Sequence, residues 1–101
     1  METVEFPLTP LPPGSGEALA ERLAALLAAR ADAVVVVCEV SALVEPTAAD
    51  LDHLARLRLA ARRAGREFVL RDAGPALRSL LTLTGLAEVL EDGRRPGRPR
   101  G

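Results

Sequence analysis

The feature that most constrains this chain is a nearly unbroken apolar run at residues 33–40, with four consecutive valines at its centre. The run lacks the alternation of apolar and polar residues that marks a strand with one face in water. Continuous apolar strands are typical of parallel sheets that are covered by helices. The run therefore predicts a central strand, buried on both faces, in a sheet with helices packed against it.

The segments around this run alternate between strand and helix patterns. Two more strands are predicted, at residues 3–8, where prolines place the strand at a sheet edge, and at residues 67–71. Apolar residues at helical spacing predict three helices, at residues 17–30, 47–64 and 75–84. Strands that alternate with helices imply right-handed crossovers and an α/β fold.

The ends of these helices carry the expected start and stop residues. Ser15 is a possible cap for the first helix, and Gly74-Pro75 opens the third. Thr47 and Asp50 have the spacing of a capping box, in which each side chain accepts the other residue's backbone N–H. Gly65 supplies a left-handed stop after the second helix.

The length of 101 residues fits one domain, which is predicted to span residues 1–91. Residues 92–101 are predicted to be a disordered tail, because after Asp92 the chain contains only Gly, Arg and Pro. The short apolar stretch at residues 86–90 fits a helix and a strand equally well.

Composition argues against several classes of partner. Aromatic residues make up only 2% of the chain, which leaves few rings for base stacking. The net charge of −1 gives no general attraction to nucleic acid or anionic lipid. No apolar run approaches the ~20 residues of a membrane helix. We expect a cytoplasmic protein with no nucleic-acid partner and no membrane insertion; its excess of Ala, Arg and Leu indicates a bacterial source.

Residues that could carry catalysis are sparse. His53, the only histidine, lies among charged residues and is predicted to be a surface side chain without a metal. The lone cysteine, Cys38, is expected to be buried in the valine run. Glu39 interrupts that run where α/β folds place binding crevices, with strand fraying as the alternative. We expect no enzyme activity, no metal and no cofactor.

The chain resembles the STAS (anti-sigma-factor antagonist) family over residues 11–90. The residues that carry the resemblance are Cys38-Glu39-Val40-Ser41 after the buried strand, Ala64-Gly65 after the long helix, and two later motifs, Gly74-Pro75-Ala76-Leu77-Arg78 and Leu83-Thr84-Gly85-Leu86. The family often has Asp-Leu-Ser at the first motif and Ser-Pro-Ala-Val-Arg at the third. The resemblance implies a STAS-like α/β fold, with a small mixed sheet covered by helices.

The regulatory motif of that family is altered in this chain. Family members carry Asp-Ser-Ser-Gly-Leu at the start of the long helix, where this chain has Thr47-Ala48-Ala49-Asp50-Leu51. Ala49 stands in place of the serine that family kinases phosphorylate. Thr47 is the one displaced candidate for phosphorylation. The resemblance therefore implies a binding module without the usual switch, in which phosphorylation adds charge and releases the partner.

Two partners follow from the resemblance. The first is an anti-sigma factor or a related regulatory kinase, and such a protein would take part in transcription regulation. It is expected to contact the start of the second helix, through Glu45, Thr47, Ala48, Ala49 and Asp50, with Leu59 on the outer face of that helix as a further contact. The alternative is a STAS-type structural subunit of a bacterial ABC lipid transporter.

Overall fold

Three strands and three helices alternate along the chain in the computed structural model, which describes residues 2–86. The elements are β1 (Glu2–Pro7), α1 (Gly16–Ala29), β2 (Ala33–Glu39), α2 (Ala48–Arg63), β3 (Glu67–Arg71) and α3 (Pro75–Thr84). All six were predicted from the sequence, with bounds that differ by at most one residue. The predicted domain end at residue 91, the tail at 92–101 and all of the stretch 86–90 except Leu86 lie outside the described residues.

The three strands form one sheet in the order β1-β2-β3, with β2 at its centre as predicted. Both pairs are parallel, and Cys38 aligns with Phe6 on one side and with Leu70 on the other. The sheet of the described residues is therefore wholly parallel. The expectation of a mixed sheet is not met, because each strand reaches the next through a helix and no hairpin joins two of them.

One face of the sheet packs against the helices and forms the core. The strands contribute alternate residues to it, and α1, α2 and α3 contribute leucines at helical spacing. The fully or nearly fully buried members of this core cluster include Val4, Phe6, Val36, Cys38, Phe68 and Leu70 from the strands and Leu19, Leu23, Leu27, Leu54, Leu57, Leu77 and Leu81 from the helices. The alternation predicted for the first strand is confirmed.

The opposite face of the sheet is not covered by any helix among residues 2–86. On this side Val37 is 7% exposed, but Val35 is half-buried and both lie outside the core cluster, so the prediction that β2 is buried on both faces is met only in part. The physical reason lies in the strand order. Right-handed crossovers that move in one direction, from β1 to β2 to β3, place their helices on the same face.

The helix ends differ in how well the sequence predicts them. Gly65 and Gly85 adopt the left-handed conformation, with φ of 76° and 81°, and end α2 and α3. Ser15 precedes α1, but its side chain does not cap the helix. Its hydroxyl instead donates to the carbonyl of Pro12 at 2.8 Å, and so the serine stabilises the preceding turn.

The side chain of Arg66 joins three elements at the edge of the sheet where β2 and β3 begin. Its Nε donates to the carbonyl of Ala33 and its Nη1 to that of Ala64, each at 2.6 Å. Its Nη2 donates to the carbonyls of Leu27 and Arg30, each at 3.3 Å. Carbonyls at the end of a helix lack intrahelical donors, and Arg66 supplies donors to those at the end of α1.

Candidate functional site

The loop between β2 and α2 lies at the carboxyl edge of the sheet, where parallel strands of α/β folds place their binding sites. Leu43 fixes this loop, because its side chain is 2% exposed and its N–H donates to the carbonyl of Val40 at 3.0 Å. The next side chain, Val44, is 73% exposed, and Glu45 is exposed beside it. The loop therefore presents an apolar side chain to solvent directly before α2.

Thr47 and Asp50 close the amino end of α2 with reciprocal hydrogen bonds. The Asp50 N–H donates to Thr47 Oγ1 at 3.3 Å, and the Thr47 N–H donates to Asp50 Oδ2 at 2.9 Å. The Thr47 hydroxyl also donates to Asp50 Oδ2, at 3.3 Å. The predicted capping box is confirmed. As a result, the hydroxyl of Thr47 is engaged with Asp50 both as a donor and as an acceptor.

The first turn of α2 keeps backbone donors that a partner could use. The first intrahelical bond runs from the N–H of Leu51 to the carbonyl of Thr47, at 3.1 Å. Helix geometry therefore leaves the N–H groups of Ala48 and Ala49 without an intrahelical acceptor. Ala48 is exposed and Ala49 is half-buried. With the positive end of the helix dipole, this turn is suited to a carboxylate or another anionic group.

The predicted contact residues do not all form one surface. Glu45, Thr47 and Ala48 are exposed and adjacent, whereas Asp50 is 3% exposed and belongs to the cap. Leu59 is 49% exposed, as predicted. It follows Thr47 by more than three turns of α2, however, which is about 18 Å along the helix axis. A single small partner surface at the helix start does not reach it.

Glu39 ends β2 inside a network of charges that crosses the sheet. Arg71 on β3 binds Glu39 Oε1 through Nε at 3.1 Å and Glu5 Oε1 through Nη2 at 3.1 Å. The Ser41 N–H donates to Glu39 Oε2 at 3.3 Å. Hydrogen bonds from Ser41 and then from Arg71 lower the pKa of Glu39. The residue is thus held as a carboxylate and is poorly suited to donate a proton.

Glu39 lies at the strand end, as the sequence predicts, and the strand does not fray there. The Glu39 carbonyl accepts the N–H of Leu8 at 2.9 Å, and Glu39 aligns with Arg71 in the sheet. The carboxyl edge therefore holds an ion network beside the exposed loop, in which two carboxylates share one guanidinium. The sequence pattern does not indicate that Arg71 takes part in this network, although Arg71 ends the neighbouring strand.

The prediction that His53 is a surface side chain is wrong. His53 is 0% exposed, and neither ring nitrogen has a hydrogen-bond partner among the described residues. The charged residues Asp52 and Arg56 close to it in sequence favour a surface position. In a helix, residues three or four positions apart share a face, and His53 shares the buried face of α2 with Asp50 and Leu57.

Cys38 is buried as predicted, with 0% exposure, and burial raises the pKa of its thiol to about 12.

Within residues 2–86, no group of three or more His, Cys, Asp or Glu side chains is arranged to hold a metal ion. None of the helices in this part of the chain has the length and apolar character needed to cross a membrane.

Val44 is the surface residue that sequence reasoning missed. The position of Val44 between the buried strand and a capping box could have indicated a surface contact, but a single valine in a loop is equally compatible with a buried core residue.

Comparison of the chain with protein-family models, curated proteins and solved structures gives no significant match. Evidence for a function therefore comes from the residues of this site.

Proposed function

We propose that this protein is a STAS-type regulatory module, resembling an anti-sigma-factor antagonist, which binds an anti-sigma factor or a related kinase through the amino end of α2. The observation that carries the proposal is the exposed side chain of Val44, 73% accessible, directly before a capped helix start. An apolar contact beside unpaired backbone donors suits a protein partner with an apolar side chain and a nearby carboxylate.

Support for the fold part of the proposal comes from the order of elements. A parallel sheet with α1 and α2 on one face places the altered motif, residues 47–51, at the carboxyl edge, beside the ends of β2 and β3. This is the edge where α/β folds bind their ligands. The position suits a motif that contacts another molecule.

The proposed module binds its partner without a phosphorylation switch. Ala49 has no hydroxyl, and the Thr47 hydroxyl is engaged with Asp50 at 3.3 Å in both directions. A phosphate on Thr47 would remove the cap and place its negative charge beside the Asp50 carboxylate, which is unfavourable. We therefore assign no phosphorylation site to this helix start.

An Ala48→Glu substitution tests the site. Ala48 is exposed in the first turn of α2, where an acidic residue is favourable to the helix dipole, so the fold is retained. The added carboxylate would occupy the donors that the partner needs. We expect at least a tenfold loss of the partner recovered from a lysate of the encoding organism, quantified by mass spectrometry.

Ala55→Glu is the matched control, because Ala55 is exposed on the same helix, away from its amino end. It should leave recovery unchanged. Equal recovery with Ala48→Glu and with the unchanged protein would refute the site. Recovery of an ABC ATPase in place of a kinase, lost on Ala48→Glu, would favour the transporter subunit as the function of the same site.

A further inference from the structure

Two of the helices that cover the sheet, α1 and α2, lie side by side and point in the same direction. At the amino end of α1, Gly16 is buried against the side chain of Arg56 on α2, with no room for a Cβ atom. At the carboxyl end of α1, the carbonyls of Leu27 and Arg30 accept hydrogen bonds from Arg66, which follows α2. The exposed sides of α1 and α2 therefore form one continuous surface, called here the outer helix surface.

The middle of the outer helix surface is apolar. Leu59 on α2 is 49% exposed there. On α1, small residues recur every four positions, starting at Gly16, where α1 meets α2. The later members of this row are half-buried Ala20 and exposed Ala24 and Ala28. Residues four positions apart lie on the same side of a helix, so these alanines lie on the side of α1 toward α2. Contact with another apolar side chain would remove this surface from water.

Four charged side chains of the outer helix surface have no ionic partner within residues 2–86. Glu17 and Glu21 are exposed, one turn apart, near the amino end of α1. Arg62 and Arg63 are exposed in the last turn of α2. None of the four makes an ion pair in this part of the chain. Two carboxylates and two guanidinium groups are therefore available to another molecule.

These charges lie at opposite corners of the outer helix surface. Because α1 and α2 point in the same direction, the amino end of α1 is diagonal to the carboxyl end of α2. A two-fold rotation exchanges these corners, so that the acidic corner of each copy meets the basic corner of the other. Two-fold interfaces require a surface that is complementary to itself in this way. The numbers of carboxylates and guanidinium groups also match.

The pattern of charge favours a second copy over an unrelated protein. An unrelated partner would have to carry the matching corners separately, whereas a second copy necessarily carries both. Complementary charges of this kind orient two surfaces and set their register more than they add affinity. The outer helix surface is thus suited to a contact of the chain with itself.

The size of the outer helix surface fits a weak dimer. Helices of 14 and 16 residues, about 21 and 24 Å long, with axes about 8–10 Å apart, cover roughly 400 Å². A stable interface buries about 800 Å² on each partner, and smaller interfaces are typical of transient contacts. We therefore expect the dimer only at high protein concentration.

From these observations we infer that the outer helix surface pairs with that of a second copy about a two-fold axis. Glu17 and Glu21 of each copy lie against Arg62 and Arg63 of the other, at both ends of the interface. Leu59 packs near the axis against the exposed alanines of the other α1. The inference does not rest on the proposed function, because the first turn of α2 and the loop before it lie outside the interface.

Charge reversal on the full chain tests this inference. The first variant combines Glu17→Arg with Glu21→Arg, so that both corners are basic. The second combines Arg62→Glu with Arg63→Glu, so that both corners are acidic. Neither should dimerise alone, because like charges then meet. An equimolar mixture of the two should form a heterodimer, because each corner again meets the opposite charge. Sedimentation equilibrium at up to about 0.5 mM protein measures the association.

The unchanged protein should show a mass that rises with concentration toward that of a dimer, and about 0.5 M salt should weaken the association several-fold. A monomer throughout this range would overturn the inference. A dimer that persists in each variant alone, or a mixture that stays monomeric while the unchanged protein dimerises, would also overturn it. Circular dichroism checks that the variants keep the fold, as expected for four exposed positions.

A second substitution tests the apolar centre without changing charge. Leu59→Ser should raise the Kd of the dimer about fivefold or more, since it removes the largest apolar side chain of the contact. The matched control is Leu83→Ser, because Leu83 is 81% exposed on α3, outside the outer helix surface. Equal dimerisation of the two variants would overturn the placement of Leu59 at the interface.

Discussion

The imidazole of His53 occupies a core position that leucines hold elsewhere on α2. Both of its ring nitrogens are buried without a partner among residues 2–86, and an unpaired buried polar group costs about 1–3 kcal/mol. The residue also shows where local sequence reasoning fails. Asp52 and Arg56 close to it in sequence are charged, but its burial is decided by its spacing from Leu57, which is 0% exposed.

Replacing His53 with leucine should stabilise the protein. Leucine has a similar volume and no polar atom, so we expect the free energy of unfolding to rise by about 1 kcal/mol. Urea unfolding followed by circular dichroism measures the change. His53→Gln, which keeps a polar group in the same place, should give no gain. A loss of stability in His53→Leu would show that the imidazole makes a favourable interaction in the core.

Among the elements, α2 was the most predictable from the sequence, and α1 the least at its start. The Thr47 and Asp50 side chains act within one turn, so their spacing alone specifies the capping box that the structure shows. Ser15 has an equally suitable side chain, but the turn residue Pro12 provides the acceptor that it uses. Local interactions are predictable where only one partner is within reach.

A second interaction between elements comes from Arg66, which connects the ends of α1 and α2 with the start of β2. We expect Arg66→Lys to lower the free energy of unfolding by about 2 kcal/mol, since an ammonium group cannot reach all four carbonyls and leaves some of them unpaired. Urea unfolding measures the change, with Arg63→Lys as the control at an exposed position of α2. Equal losses in both variants would contradict the role of Arg66.

At the scale of the whole molecule, the sequence predicts a central parallel strand but not which faces of the sheet the helices cover. The apolar run of β2 correctly indicates a central parallel strand. The same run could not show that helices cover only one face, because coverage depends on strand order. That order is set by pairings between residues far apart in the chain, such as Phe6 with Cys38, and no local pattern records it.

The ion network across the three strands makes stability depend on pH. The pKa of Glu39 is lowered in the folded protein by Ser41 and Arg71, from an ordinary value of 4.5. A lowered pKa gives stability that is present above pH 4.5 and is lost as the pH falls through the folded value. The fold should therefore weaken on acidification below that point.

Urea midpoints at pH 7 and pH 3 test this dependence. The unchanged protein should lose more stability between the two values than Glu39→Gln, which has no carboxyl group to protonate. Glu21→Gln, at an exposed position of α1, should behave like the unchanged protein. If Glu39→Gln lost as much stability as the unchanged protein, Glu39 would not contribute to the acid sensitivity.

The wholly parallel register has a consequence for how the chain reaches this structure. Phe6 pairs with Cys38 and Cys38 with Leu70, so each pairing joins residues 32 positions apart. Within residues 2–86, no two strands are joined by a tight turn that would form early and guide the rest. Non-local pairings of this kind slow folding, because the entropy of closing each loop is lost before the contacts form. We therefore expect folding to begin with a strand-helix-strand unit that contains β2, because both edge strands pair with β2.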